Sequence, residues 1–184
     1  MLKKLIMVFA LLIGFTSPSI LLGITANAEE VSPEVHLDSD GVMRNFDPST
    51  ISETDIVSES PMVGLNENGE TVIVPEENPM LRNAPKKKLI GEYILSGQDT
   101  ISLAQSMKNL KGLPLENYVL NTLIALSGSK TAIVVQAALI ASRNAAIKKV
   151  VIDAAAHGNR LRVLIWDEVP HTSYSTTVQF IAIR

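Results

Sequence analysis

Apolar residues are arranged in three different ways along this chain of 184 residues. They form an unbroken run from Leu5 to Ile13, they are scattered without a period over residues 29–85, and they recur at strand and helix spacings over residues 86–184. A segment that buries little apolar surface cannot offset the entropy lost on ordering. Residues 29–85 are therefore predicted to be largely disordered, and residues 86–184 to be one compact domain.

One stretch of the middle segment departs from that prediction. Residues 62–65 and 70–74 are mainly apolar, and the sequence Asn66-Glu67-Asn68-Gly69 between them has the residues of a tight turn. This pattern indicates a β-hairpin. Because an isolated hairpin is marginally stable in water, we expect it to pack on the C-terminal domain or on a partner.

In the C-terminal domain the spacing predicts a strand over 89–95, with Asp99 as the cap of a first helix that stops at Gly112. A second helix is expected from Pro114 to Gly128, and a third, long one from a Ser129 cap to His157. The surrounding alanines favour helix over the alternative strand at 149–152. Two alternating strands follow, in which each of these sets shares one face: Leu161, Val163 and Ile165; Val178, Phe180 and Ala182.

These elements predict an α+β fold. Its sheet is expected to be small and antiparallel, made of the strand at 89–95 and the C-terminal hairpin, and packed on about three helices. The disordered acidic segment is expected to precede it.

The N-terminus has the features of an export signal. Lys3 and Lys4 precede the apolar run, and Ala26-Asn27-Ala28 is a small-x-small cleavage sequence. We predict a signal peptide over residues 1–28 with cleavage after Ala28, and favour it over an uncleaved anchor because Gly14 and Pro18 interrupt the apolar stretch. With no cysteine, the fold must be held by an apolar core, as is ordinary for a bacterial protein of the envelope or the medium.

Charge reverses along the chain. Residues 29–85 contain 13 acidic and 2 basic side chains, whereas residues 86–184 contain 12 basic and 6 acidic ones. This asymmetry indicates an acidic leader or pro-segment beside a cationic domain that meets anionic surfaces. The alternatives for the lysine run at 86–88 are a protease-sensitive junction and a solvated strand edge. The candidate binding residues are Lys86, Lys87, Lys88, Arg143, Lys148, Lys149, Arg160 and Arg162.

The residues for catalysis are few in residues 86–184. His157 and His171 could serve as acid and base in a phosphodiester hydrolase, with Arg160 or Arg162 stabilising the phosphorane charge. Asp153 and His157 are four residues apart, but no further ligands accompany them, so no metal site is expected. The sequence has no glycine-rich phosphate loop, and no cofactor is expected. Few aromatic residues accompany the cations, which argues against specific nucleic-acid binding.

Three functions remain as hypotheses. The first is an exported bacterial protein with a non-catalytic domain that binds a protein or an anionic surface. The second is a cationic membrane-active or antimicrobial effector, masked by its acidic segment, because residues 119–141 carry one charge, Lys130. Gly128 and Lys130 divide that stretch, so no spanning segment is expected in the mature protein. The third is an exported hydrolase that uses His157 or His171.

Overall fold

The computed structural model describes residues 34–75, 87–168, 171–172 and 174–184. These residues belong to one compact unit. Both the predicted signal peptide, 1–28, and the predicted boundary between residues 85 and 86 lie outside the described residues. The strands are β1 (His36–Leu37), β2 (Met43–Arg44), β3 (Ile56–Glu59), β4 (Val63–Leu65), β5 (Thr71–Ile73), β6 (Lys87–Leu95), β7 (Arg160–Glu168) and β8 (Thr177–Ile183). The helices are α1 (Gly97–Asn109), α2 (Leu113–Ser127), α3 (Ala132–Arg143) and α4 (Ala145–Ala156).

The strands form one mixed sheet of eight strands in the order β1-β2-β6-β7-β8-β4-β5, with β3 also paired to β8. The β2–β6 pair is parallel and the other pairs are antiparallel. The prediction of a small antiparallel sheet preceded by a disordered acidic segment is therefore wrong. Residues 36–73 supply five strands, and the predicted hairpin is confirmed as β4–β5.

The reason for this error is the length of the five added strands. Each has two to four residues, too few to show the alternation by which a strand is recognised. They are ordered through the longer strands beside them. In β4, for example, Val63 lies opposite Val178 of β8 and is completely buried.

The helical region also differs from the prediction in number. The long third helix is two helices, because Asn144 adopts an extended conformation (φ −87°, ψ 125°) between α3 and α4. Two of the expected caps are displaced as well: Ser96 caps α1 in place of Asp99, and Thr131 caps α3 in place of Ser129. Gly128 ends α2 in the left-handed conformation, as expected.

All four helices contribute to one core on one face of the sheet. The predicted inward faces of β7 and β8 are confirmed, since their apolar side chains are buried in that core. On the opposite face Leu164, Ile181 and Ile183 form a smaller cluster, against which Ile51 packs. The sheet is therefore covered by helices on one face and partly by the acidic segment on the other.

Candidate functional site

An open cleft of about 410 Å³ lies where the α1–α2 loop meets the junction of α3 and α4. We call it the cationic cleft. Its charged lining consists of Lys111, Glu116, Arg143 and Lys148, and apolar atoms come from Leu110, Leu115 and Ala145. The cleft thus joins two segments about thirty residues apart in sequence, which the contact between α2 and α3 brings together.

The local sequence explains both walls of the cleft. Gly112 has a φ of +58° and ψ of −141°, a conformation that side-chain-bearing residues rarely adopt, and it lets the chain turn sharply from α1 into α2. On the other wall, Asn144 Oδ1 accepts hydrogen bonds from the amides of Ala146 and Ile147 at 2.9 and 3.1 Å. This capping ends the continuous helix and opens the wall of the cleft.

The three cations of the cleft are not equivalent. Arg143 donates through Nε to Glu116 Oε1 at 2.9 Å and through Nη1 to the carbonyl of Gly69 at 3.3 Å. By contrast, neither Lys111 nor Lys148 has a carboxylate within 4 Å among the described residues. Glu116 neutralises one cation, and two lysines are left to attract an anion.

The other predicted binding cations are distributed over separate parts of the molecule. Arg160 donates to the Arg184 carbonyl at 2.8 and 3.2 Å, and Arg162 pairs with Glu92 on the sheet face opposite the helices. Lys149 is exposed on α4, and the amino group of Lys88 lies against Gly41. Lys87 begins β6, while Lys86 lies outside the described residues. Of the eight predicted residues, Arg143 and Lys148 line the cationic cleft; sequence reasoning missed Lys111 as a lining residue.

A second charged cluster is buried under the acidic segment. Glu92 is 2% exposed. One of its carboxylate oxygens accepts a hydrogen bond from Arg44 at 2.7 Å, and the other accepts one from Arg162. Arg44 also contacts Asp38 at 2.5 Å and Asp40 at 2.9 Å. These carboxylates raise the pKa of Arg44, Asp40 most strongly. Because Arg44 belongs to β2 and Glu92 to β6, their ion pair holds β2 on β6.

His171 lies in a third cluster, beside the end of β7. Its Nδ1 is 2.7 Å from Oδ2 of the buried Asp167, and the hydroxyl of Ser175 donates to Asp167 Oδ1. Ser175 Oγ is 3.4 Å from the same ring nitrogen, Nδ1. In a serine nucleophile triad the serine and the aspartate contact different ring nitrogens. This cluster orients the imidazole, but it does not have the geometry of such a triad, because Asp167 and Ser175 approach the same ring nitrogen.

The structure does not bring His157 and His171 together. The two residues flank β7, which has nine residues and is roughly 30 Å long at about 3.3 Å per residue. His157 is exposed, and its Nδ1 lies 2.7 Å from the backbone carbonyl of Asp153 rather than its carboxylate. Within the described ranges no group of three or more His, Asp or Glu side chains could hold a metal ion.

None of the helices in the described part of the chain is both long and apolar enough to cross a membrane. No protein family, no curated protein and no solved structure shows significant similarity to this chain. The fold and its cleft define an α+β protein in which a mixed sheet, covered on one face by four helices, carries an open cleft with two lysines that have no carboxylate partner among the described residues.

Proposed function

We propose that this is an exported bacterial protein that acts by binding, without catalysis, and that the cationic cleft takes an anionic group of a protein partner or of a cell surface. One observation carries the proposal. Lys111 and Lys148 line the same concave surface without carboxylate partners in the described residues, while Glu116 is occupied by Arg143. Two like charges on the two walls of one cleft favour an anion between them.

The apolar part of the cleft supports binding rather than simple solvation of the lysines. Leu115, which is buried, and Leu110, which is partly buried, line the cleft together with the charged groups. A site with an apolar floor and a few polar groups is typical of ligand sites. We therefore expect the anionic group to belong to a larger ligand that also contacts the partly exposed Leu110.

Titration with pyrophosphate, followed by NMR of the backbone amides, tests this proposal. We expect residues of the cleft, such as Lys111 and Ala145, to shift most. Lys111→Glu and Lys148→Glu should each weaken binding about tenfold or more, because each reverses a charge next to the anion. Lys130→Glu, an exposed lysine between α2 and α3, is the matched control. Equal weakening by all three variants would contradict a localised site.

The contacts of the acidic segment do not favour the masked-effector hypothesis. One ion pair that joins residues 34–75 to residues 87–168 is Arg44–Glu92, in which the acidic segment supplies the cation. Removal of residues 29–85 would also take five strands from the sheet. An acidic mask that is cleaved from an intact cationic domain would need the opposite arrangement.

A hydrolase that uses His171 is the second candidate, favoured by its contact with Asp167. A carboxylate on Nδ1 fixes the tautomer and leaves Nε2 to act as a base. Hydrolysis of bis(p-nitrophenyl) phosphate by residues 29–184, abolished in His171→Ala and retained in His157→Ala, would support it. No turnover by the wild-type protein would exclude this substrate class.

A further inference from the structure

Beside the cationic cleft, Leu113 is the most exposed of the large apolar side chains in the described residues. It is 71% exposed and is the first residue of α2, immediately after Gly112 of the cleft. Gly112 permits the sharp turn and Pro114 restricts the backbone in the first turn of α2, so the leucine projects from a tight turn at the start of a helix rather than from a long loop.

Three lysines lie near this leucine in sequence or in the adjacent cleft. Lys108 and Lys111 are exposed on the last turn of α1 and on the loop, and Lys148 lines the adjacent cleft. None of the three has a carboxylate within 4 Å in the described ranges. We call Lys108, Lys111, Leu113 and Lys148 the corner surface. At one end of the helical layer it combines an exposed apolar side chain with three lysines that have no carboxylate within 4 Å in the part of the chain that the structure describes.

We propose that the corner surface docks on an anionic bilayer, with a lipid phosphate in the cationic cleft between Lys111 and Lys148 and with Leu113 inserted at the interface. This inference rests on the proposed function, because the cleft is the same. Charge complementarity selects the lipid: anionic head groups attract each lysine, and the acyl region removes the leucine from water. Insertion of one side chain requires no membrane-spanning helix, and none of the helices in the described residues is long and apolar enough to be one.

The neighbouring charges are compatible with this orientation. Glu116 is the acidic residue of the cleft, and Arg143 neutralises it at 2.9 Å. Glu67 and Glu70 lie on the β4–β5 turn, in which the Gly69 carbonyl accepts a hydrogen bond from Arg143. The acidic β4–β5 turn therefore lies on the side of the cleft that Arg143 occupies. Lys111 and Lys148 are the cleft cations that can bind a lipid phosphate.

Co-sedimentation with vesicles tests the inference. Residues 29–184, which contain the whole compact unit, would be mixed with vesicles of phosphatidylglycerol and phosphatidylcholine in equal amounts, or of phosphatidylcholine alone. We expect binding to the anionic vesicles alone, and weaker binding as salt shortens the range of the lysine charges. Lys111→Ala and Lys148→Ala should each weaken binding about fivefold, and Leu113→Ala about five- to tenfold.

Two variants serve as controls. Lys130→Ala removes an exposed lysine at the far end of α2, and Ile73→Ala removes an apolar side chain that is 66% exposed on β5. Each should change vesicle binding less than twofold. Leu113 is exposed, so its substitution should leave the thermal midpoint unchanged, and a binding loss without a stability loss identifies a surface contact.

Three outcomes would overturn the inference. Equal binding to both vesicle types would show that the lysine charges do not drive the binding. Unchanged binding by Leu113→Ala would leave an electrostatic contact without insertion. If vesicles do not bind but pyrophosphate still shifts the cleft residues, the membrane inference fails while the proposed function stands; if neither binds, both fail.

Discussion

Arg44 and Glu92 form a buried ion pair across the parallel strands β2 and β6, with Arg44 Nε donating to Glu92 Oε2 over 2.7 Å. The arginine is 6% exposed and the glutamate 2%. Arg44 belongs to the acidic half of the chain and Glu92 to the basic half, so each is the minority charge of its own segment. The pair shows that net charge alone does not describe how the two halves meet.

Removal of the Glu92 charge is expected to destabilise the protein strongly. In Glu92→Gln the buried Arg44 loses one of its anionic partners, and loss of one member of a buried pair costs about 3 to 5 kcal/mol. Asp38 and Asp40 still contact Arg44, so we expect the lower end of that range. Urea unfolding measures the difference. Glu67→Gln, at an exposed turn, is the control, and a Glu92→Gln protein as stable as wild type would show that the pair contributes nothing net.

Stability should depend on the ionisation of Asp40. The hydrogen bond from Arg44 holds the pKa of Asp40 below its usual value. A carboxylate with a depressed pKa in the folded state stabilises the fold above the unfolded pKa of about 3.9 and loses that contribution as pH falls through the lower folded pKa. The difference in unfolding free energy between wild type and Asp40→Asn should therefore be present at neutral pH and vanish in acid. A difference that stays constant across this titration would contradict it.

Val63 tests whether the acidic segment is part of the core. It is completely buried in the same cluster as the helices, so Val63→Ala should cost about 1 to 3 kcal/mol of unfolding free energy. Val57→Ala on β3 is the control, because that side chain is 47% exposed. Chemical unfolding of residues 29–184 gives both values. Equal, negligible effects would mean that residues 36–73 contribute little to stability.

Asn144 is expected to stabilise the start of α4. Its side chain satisfies two amides of the first turn, and replacement of such a cap by alanine costs about 1 kcal/mol. Asn121→Ala within α2 removes an exposed asparagine that caps nothing and should be neutral or slightly stabilising. Thermal unfolding of the two variants compares them. If Asn144→Ala were as stable as wild type, the α3–α4 break would have to come from tertiary packing alone.

Part of the cationic cleft could be anticipated from sequence and part could not. Arg143 and Lys148 stand out as cations after an apolar helical run, and the structure places both on one surface. Lys111 gives no such signal, because it lies in a short loop between two helices. The break between α3 and α4 does have a sequence signal, Asn144 itself, since asparagine is a favoured helix cap and an unfavourable residue inside a helix.

The sequence by itself determined the long elements of this protein. The period of apolar residues is visible wherever a strand or helix spans several repeats, as it does in β6, β7, β8 and α2, and Gly128 and Gly158 mark helix ends through their own conformational freedom. Only the tertiary structure decided the place of the acidic segment and of the cleft. A strand of two or three residues is ordered by hydrogen bonds to a distant neighbour, and a cleft by the packing of helices. Neither interaction leaves a period in the local sequence.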